Sequence, residues 1–191
     1  ETKHVALITD NTYGGVALQA HVRKELAAFP DLDLYLIDGR VNTIYSLFDE
    51  LASLPPHTAL LLGTWRIDKN DGYLLSNVTY AMAQAVPHLP TFSLTALGLG
   101  YWGIGGVVPN YSPQGVHLAK QAYDLLQNKV TEASVMFVDN VLTLDYEVVK
   151  KLDLNTDKID EPIKWVNRTP SFYETYKLQI LATITIIIVL F

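Results

Sequence analysis

The amino-acid sequence predicts an α/β protein built on a doubly wound parallel sheet, and three features carry that prediction. Short apolar runs alternate with segments of helical periodicity through the first hundred residues, the order that sets strands side by side with helices as crossovers. The run Thr58–Gly63 is apolar through its centre, as in a strand covered on both faces. The segments between strands are a dozen or so residues long, the length a parallel crossover needs.

The elements follow in chain order. Val5–Thr9 is a short apolar run ending in the turn Asp10-Asn11-Thr12-Tyr13-Gly14-Gly15. A helix follows to about Phe29, with Val16, Ala20, Leu26 and Ala27 near helical spacing and Arg23-Lys24-Glu25 on the other side. Leu32–Ile37 is a second strand, stopped by Asp38-Gly39. Asn42 or Thr43 caps a helix carrying Ile44, Leu47, Phe48 and Leu51, which ends before Pro55-Pro56. Thr58–Gly63 is the third strand, Leu74–Val86 the third helix and Pro90–Leu94 the fourth strand.

Beyond it a Gly-rich stretch, Gly98–Gly106, leads into Val107-Val108, and a helix spans Pro113–Asn128 with its proline in the first turn. Val135–Val138 and Val141–Leu144 are expected to form a hairpin-like pair around Asp139-Asn140. Asp145 caps a short helix to Leu152, and Asp153–Pro170 is expected to be a polar, irregular connector.

The chain has 191 residues, 49% hydrophobic, with no cysteine and a net charge of -6 from 14 Lys+Arg against 20 Asp+Glu. That hydrophobic content excludes disorder, and the missing cysteine excludes a disulfide scaffold or a thiolate-ligated metal. No basic stripe is present, so nucleic acid is not an expected partner. The mean hydropathy of +0.16 is high for a soluble domain, and the uncharged tail Leu178–Phe191 is largely responsible. As a helix that tail is about 21 Å long, against roughly 30 Å of hydrocarbon in a bilayer. Its β-branched run Thr183–Val189 also suits a buried C-terminal strand. The upstream anchors Trp165, Phe172, Tyr173, Tyr176 and Lys177 favour the start of a transmembrane helix. Glu1-Thr2-Lys3 carries neither an initiator Met nor a signal peptide, so a piece of a larger protein is expected.

Ligands of open parallel sheets sit beyond the carboxyl ends of the strands. That rule selects Asp10, Asn11, Thr12 and Tyr13 after the first strand, and Arg40 with Asn42 after the second. It also selects Thr64, Trp65, Arg66 and Asp68 after the third strand, and Tyr101 and Trp102 after the fourth. Aromatics, amides and arginines suit a small polar organic ligand held by stacking and hydrogen bonds. Trp65-Arg66 is the sharpest pair: an exposed Trp stacks on a ligand while the Arg pairs with its carboxylate. The same loops are also polar simply because strand ends meet water.

Gly98-Leu99-Gly100-Tyr101-Trp102-Gly103 matches GxGxxG, but Gly105-Gly106-Val107-Val108-Pro109 intervenes before any helix, leaving no helix N-terminus for a pyrophosphate. His4, His21, His57, His88 and His117 are scattered without metal-ligand spacing, so neither a metal nor a cofactor is expected. No nucleophile elbow or Walker motif supports a catalytic residue. The sequons at Asn77, Asn110 and Asn167 matter only in a eukaryotic secretory setting.

Several of these residues resemble the type I periplasmic-binding-protein fold, in its extracytoplasmic sensor-domain form related to ABC-transporter substrate-binding proteins. Asp10-Asn11-Thr12-Tyr13-Gly14 resembles the entry to the second lobe. Leu60–Gly63 running to Asp68 and Asp71-Gly72 is similar to the matching loop of those sensors. Gly103–Val108, with Gly115 and Ala119 on a helix ending Leu125–Asn128, resembles the return crossing and final helix. Asn167-Arg168-Thr169-Pro170-Ser171-Phe172-Tyr173-Glu174-Thr175-Tyr176 resembles the segment preceding the membrane helix, with Thr169 and Tyr173 where Pro and Trp are usual.

The resemblance implies a division of the chain: 1–90 an α/β lobe, 91–152 the returning half of a second lobe, 153–177 a juxtamembrane connector and 178–191 a truncated transmembrane helix. It implies a sensor in the bacterial inner membrane, facing the periplasm or exterior. A small molecule in an inter-lobe cleft would signal through the helix to a cytoplasmic histidine kinase or diguanylate cyclase, with a homodimer as a further expectation. The alternative is a membrane-tethered substrate-binding component of an ABC transporter. A soluble α/β enzyme with a buried C-terminal strand is the third class.

Overall fold

In the computed structural model, which describes residues 2–74, 77–129, 135 and 137–190, one seven-stranded sheet runs in the order β2-β1-β3-β4-β5-β6-β7. The strands are β1 (His4–Thr9), β2 (Asp33–Asp38), β3 (Thr58–Leu62), β4 (Thr91–Ser93), β5 (Gly105–Val108), β6 (Val141–Asp145) and β7 (Lys164–Val166). The first five are parallel to their neighbours, β6 is antiparallel to β5, and β7 is parallel to β6. β1 is an interior strand between β2 and β3, and its residues bury on both faces: Ala6, Leu7 and Ile8 are fully buried.

Helices α1 (Tyr13–Leu26), α2 (Ile44–Ala52) and α3 (Val78–Ala85) follow the first three strands. Leu47 and Leu51 of α2 and Met82 of α3 pack with Ala6, Ile8, Ile37, Leu60 and Leu62 into the main core. Right-handed crossovers place α1 on the opposite face, where its buried Gln19 donates to Thr9 Oγ1 at 2.6 Å. Thr12 caps α1 by accepting from the Gly15 N–H, and Thr43 with Ser46 forms a reciprocal capping box on α2. A second core gathers Ile104, Leu144 and Val149 with Trp165 and Leu152 around α5 (Tyr146–Lys151). Asp145 caps that helix by accepting from the Glu147 and Val148 N–H groups.

Three expectations need correction. The hairpin between 135–138 and 141–144 does not form: Val135, Phe137 and Val138 lie outside any strand, Met136 lies outside the described residues, and β6 pairs with β5 instead. An isolated two-stranded hairpin is marginal, whereas β5 offers four paired residues on an existing sheet. The connector expected to be irregular contributes β7, an edge strand whose Trp165 joins the second core.

The third concerns the membrane. The tail is helical, part of α6 (Phe172–Leu190), and not a strand. Its threonines return hydroxyl hydrogen bonds within the helix, Thr183 to Gln179 O and Thr185 to Leu181 O. Yet no helix among the described residues is long and apolar enough to cross a membrane. Tyr176 leaves helical geometry (φ -111°, ψ 15°), and the apolar stretch after it is only about 20 Å long. The helix starts on a second capping box, in which the Ser171 N–H donates to Glu174 Oε2 and the Glu174 N–H to Ser171 Oγ.

α4 (Tyr111–Leu126) differs from the earlier helices in burying none of its residues. Val116, Leu118 and Leu126 stand exposed on it.

Candidate functional site

The site is built where β1 to β4 end. The sheet reverses its winding between β1 and β3, so the loops after those strands flank the usual ligand crevice. Here the two loops are joined by backbone. The Asn11 N–H donates to Ile67 O at 2.9 Å, and fully buried Asp10 accepts the Arg66 N–H on Oδ2 at 2.9 Å. Its Oδ1 accepts from the Thr12 N–H and hydroxyl. The loop after β2 closes on the same point. Gly39 donates to Thr9 O at 2.7 Å, and a Cβ there would come within 2.7 Å of Asp10 Cα, so only glycine fits.

Arg40 is engaged too. Its guanidinium donates to Asp38 from Nε (2.9 Å) and Nη2 (2.6 Å), and to Gln19 Oε1 at 3.0 Å. Burial raises the Asp38 carboxyl pKa, but the hydrogen bonds from the Arg40 side chain and backbone, with Gln19, outweigh it and hold the group below the usual carboxylate range. The same pair raises the Arg40 pKa. Asp68 is buried in its own turn, accepting the Asn70 and Gly72 N–H groups on Oδ1 at 2.9 and 3.1 Å. These charged side chains hold the loops in place.

What remains open lies beyond β3 and β4: a crevice of about 440 Å³. Arg66 is exposed at it, and among the described residues its guanidinium pairs with no carboxylate. Thr64, Thr79 and Thr95 bring hydroxyls, Leu74 and Leu97 an apolar surface, and Tyr73 a phenol. The chain reverses over Asp68–Gly72, with the Leu74 N–H donating to Arg66 O at 2.8 Å, which brings Tyr73 and Leu74 back beside Arg66. Arg66 thus has a fixed backbone on both sides.

The structure sorts the sequence-selected residues. Thr64, Trp65 and Arg66 line this crevice, but Trp65 is 2% exposed and packs in the main core. The exposed stacking ring expected of it is absent, because its side chain points into the sheet's own hydrophobic layer; its Nε1 has no hydrogen-bond partner among the described residues. Tyr13, at 93% exposure, projects from the first turn of α1. Tyr101 and Trp102 do not join the group. β5 lies parallel beside β4, so the loop between them must carry the chain back to the amino end before β5 begins. There Ile104 N–H donates to Thr91 O, and Tyr101 and Trp102 line a separate pocket with Leu89 and α5.

Tyr73, Leu74, Thr79, Thr95 and Leu97 were not selected from sequence. Thr95 and Leu97 follow β4 directly, so the strand-end rule contained the signal. Leu74 enters only through the path of the 66–74 segment, and Thr79 only through the placement of α3. Gly98-Gly103 is a closed turn, in which the Tyr101, Trp102 and Gly103 N–H groups donate to Gly98 O. Gly98 has φ +77°, and a Cβ there would strike the Trp102 ring. These glycines serve the turn and its indole. Among the described residues, no group of three His, Asp or Glu side chains could hold a metal ion.

No family model and no curated protein matches the sequence. Among solved structures, the chain is similar to the ligand-free, open structure of a substrate-binding protein with adhesive properties from Clostridium difficile. The TM-score is 0.57 at 14% identity, covering 88% of this chain and 56% of that protein. The fold is substrate-binding-protein-like. The chain therefore spans little more than half the length of the protein it resembles.

Proposed function

We propose that this chain is the solute-binding part of an extracytoplasmic sensor of the bacterial inner membrane, taking a small organic anion in the crevice beyond β3 and β4. The observation that carries the reading is Arg66, in no ion pair among the described residues, at the rim of a cavity of about 440 Å³, in a chain of substrate-binding-protein-like fold. That volume lies in the range of small-molecule sites. A guanidinium whose backbone is already fixed loses little freedom on forming a bidentate pair with a carboxylate. The Thr64 and Thr95 hydroxyls orient the ligand's polar groups, and Leu74, Leu97 and Tyr73 cover its apolar part. The chain binds the solute unchanged, and no residue is assigned a catalytic role.

A second lobe closes over the solute against α4 in this reading. α4 buries none of its residues, and its Tyr111 hydroxyl lies 3.5 Å from Thr95 O, at the crevice. Closure signals only if the solute binds the closed arrangement better than the open one. In this reading closure is passed on to the base of α6. Asn167 is the joint: its Nδ2 donates to Gly100 O at 2.9 Å and to Asp145 Oδ2 at 2.8 Å, fastening the base of α6 to the body.

The test is a thermal-shift screen of small carboxylates beside their neutral amides, on the wild-type chain and on Arg66→Ala. At least one carboxylate should raise the melting temperature of the wild type, its amide should not, and the variant should lose the response. Equal shifts in wild type and variant would remove Arg66 from the site, and no shift from any solute would refute the binding role.

A further inference from the structure

The opposite end of the sheet holds a pocket with a different chemistry. It lies between α3, the 98–103 loop and α5, and its volume is about 230 Å³, the scale of a single amino acid rather than a peptide. Its base is apolar, from buried Leu89 and half-buried Val148 and Leu152. Trp102 and Tyr101 form an aromatic wall.

Two opposite charges, Glu147 and Lys151, line it from α5. They are four residues apart on one helix, the spacing at which a Glu and a following Lys ordinarily pair. Among the described residues neither is in an ion pair. The wall opposite is fixed. Three N–H groups close the 98–103 turn on Gly98 O, and Asn167 holds Gly100 O from outside.

We infer that this pocket binds a free α-amino acid as its zwitterion, independently of the crevice beyond β3 and β4. The ligand's ammonium donates to the Glu147 carboxylate, the Lys151 ammonium donates to its carboxylate, and its side chain lies between Trp102 and Leu152. A simple anion is disfavoured by Glu147 and a simple cation by Lys151. Only a ligand carrying both charges satisfies both groups. Because Asn167 joins this loop to the base of α6, occupancy would stiffen the joint through which the chain's last helix is held.

The test is calorimetric titration of the full chain, in mild detergent, with L-leucine, N-acetyl-L-leucine and L-leucine amide. L-leucine should bind with a dissociation constant between micromolar and millimolar. Each analogue, lacking one charge, should bind about tenfold more weakly or worse, the worth of one charge-assisted hydrogen bond. Trp102 packs on the core, so its removal risks the fold. The informative variants are the exposed Lys151→Glu and Glu147→Gln, which should lose affinity by a similar factor. Lys150→Glu makes the same charge change one residue outside the pocket and should bind L-leucine like the wild type. Absence of saturable L-leucine binding, equal affinity for the three compounds, or equal binding by Lys151→Glu and Lys150→Glu would overturn the inference.

Discussion

At the carboxyl ends of the first three strands, Asp10, Asp38, Arg40 and Asp68 all hydrogen-bond within the chain, whereas at the opposite end Glu147 and Lys151, around a pocket, form no ion pair among the described residues. Three converging loops bring many backbone N–H groups together away from water. Those groups need acceptors before any ligand arrives. A charged residue at a strand end is therefore no pointer to a ligand by itself. The pointer is a charge left without a partner once the loops are satisfied, which here means Arg66 at one end and the α5 pair at the other.

Substitution can break that contrast. The largest effect is expected from Asp10→Ala. It strands the Thr12 and Arg66 N–H groups and should destabilise the chain by about 2–6 kcal/mol in denaturant unfolding, at about 1–3 kcal/mol per unsatisfied group. A variant of wild-type stability that loses only its solute response would instead make Asp10 a ligand contact. Leu47→Ala, fully buried beneath α2, should cost about 2–5 kcal/mol. Leu118→Ala on exposed α4 should stay within about 0.5 kcal/mol, and a comparable loss at both positions would mean that α4 is packed.

Smaller effects separate the holding residues from the signalling joint. Ser171→Ala removes the cap of α6 and should cost about 1 kcal/mol locally, read as faster amide exchange over Tyr173–Thr175 with the sheet unchanged. Asp38 has a folded-state pKa below its unfolded value. Its contribution to stability is therefore full above the ordinary aspartate pKa and is lost as pH falls through the lowered one. Asp38→Asn should flatten the acid limb of the stability curve below about pH 4. An unaltered limb would show that the Arg40 pair is not maintained in solution.

Local chemistry made much of the fold legible. The strands β1 and β3 announce themselves by apolar runs, and the caps at Thr43 and Asp145 by side chains that accept N–H groups within three residues. What was not legible depends on distant partners. β6 reads as half of a hairpin until β5 is known to offer it an edge. Residues 183–189 suit a strand by β-branching, and only the anchors upstream favour the helix that forms, in which Thr183 and Thr185 bond back to the preceding turn. Trp65 follows the end of β3, where strand alternation no longer predicts which way a side chain turns. Tyr101 and Trp102 follow β4 in sequence but precede β5 in space, and only the parallel register of the two strands reverses their position. The crevice residues Thr95 and Leu97 escaped because the aromatic Tyr101 and Trp102, further along the same loop, stand for the end of the fourth strand in the sequence reading.

The central claim is that solute enters beyond β3 and β4 and meets Arg66. Its most direct measurement is amide chemical-shift mapping on the nitrogen-15-labelled chain, titrated with the carboxylate that stabilises it most. The account predicts that the largest shifts fall on Thr64–Arg66, Tyr73, Thr95 and Leu97. Shifts confined to Tyr101–Trp102 and Glu147–Leu152, or none at all, would contradict it.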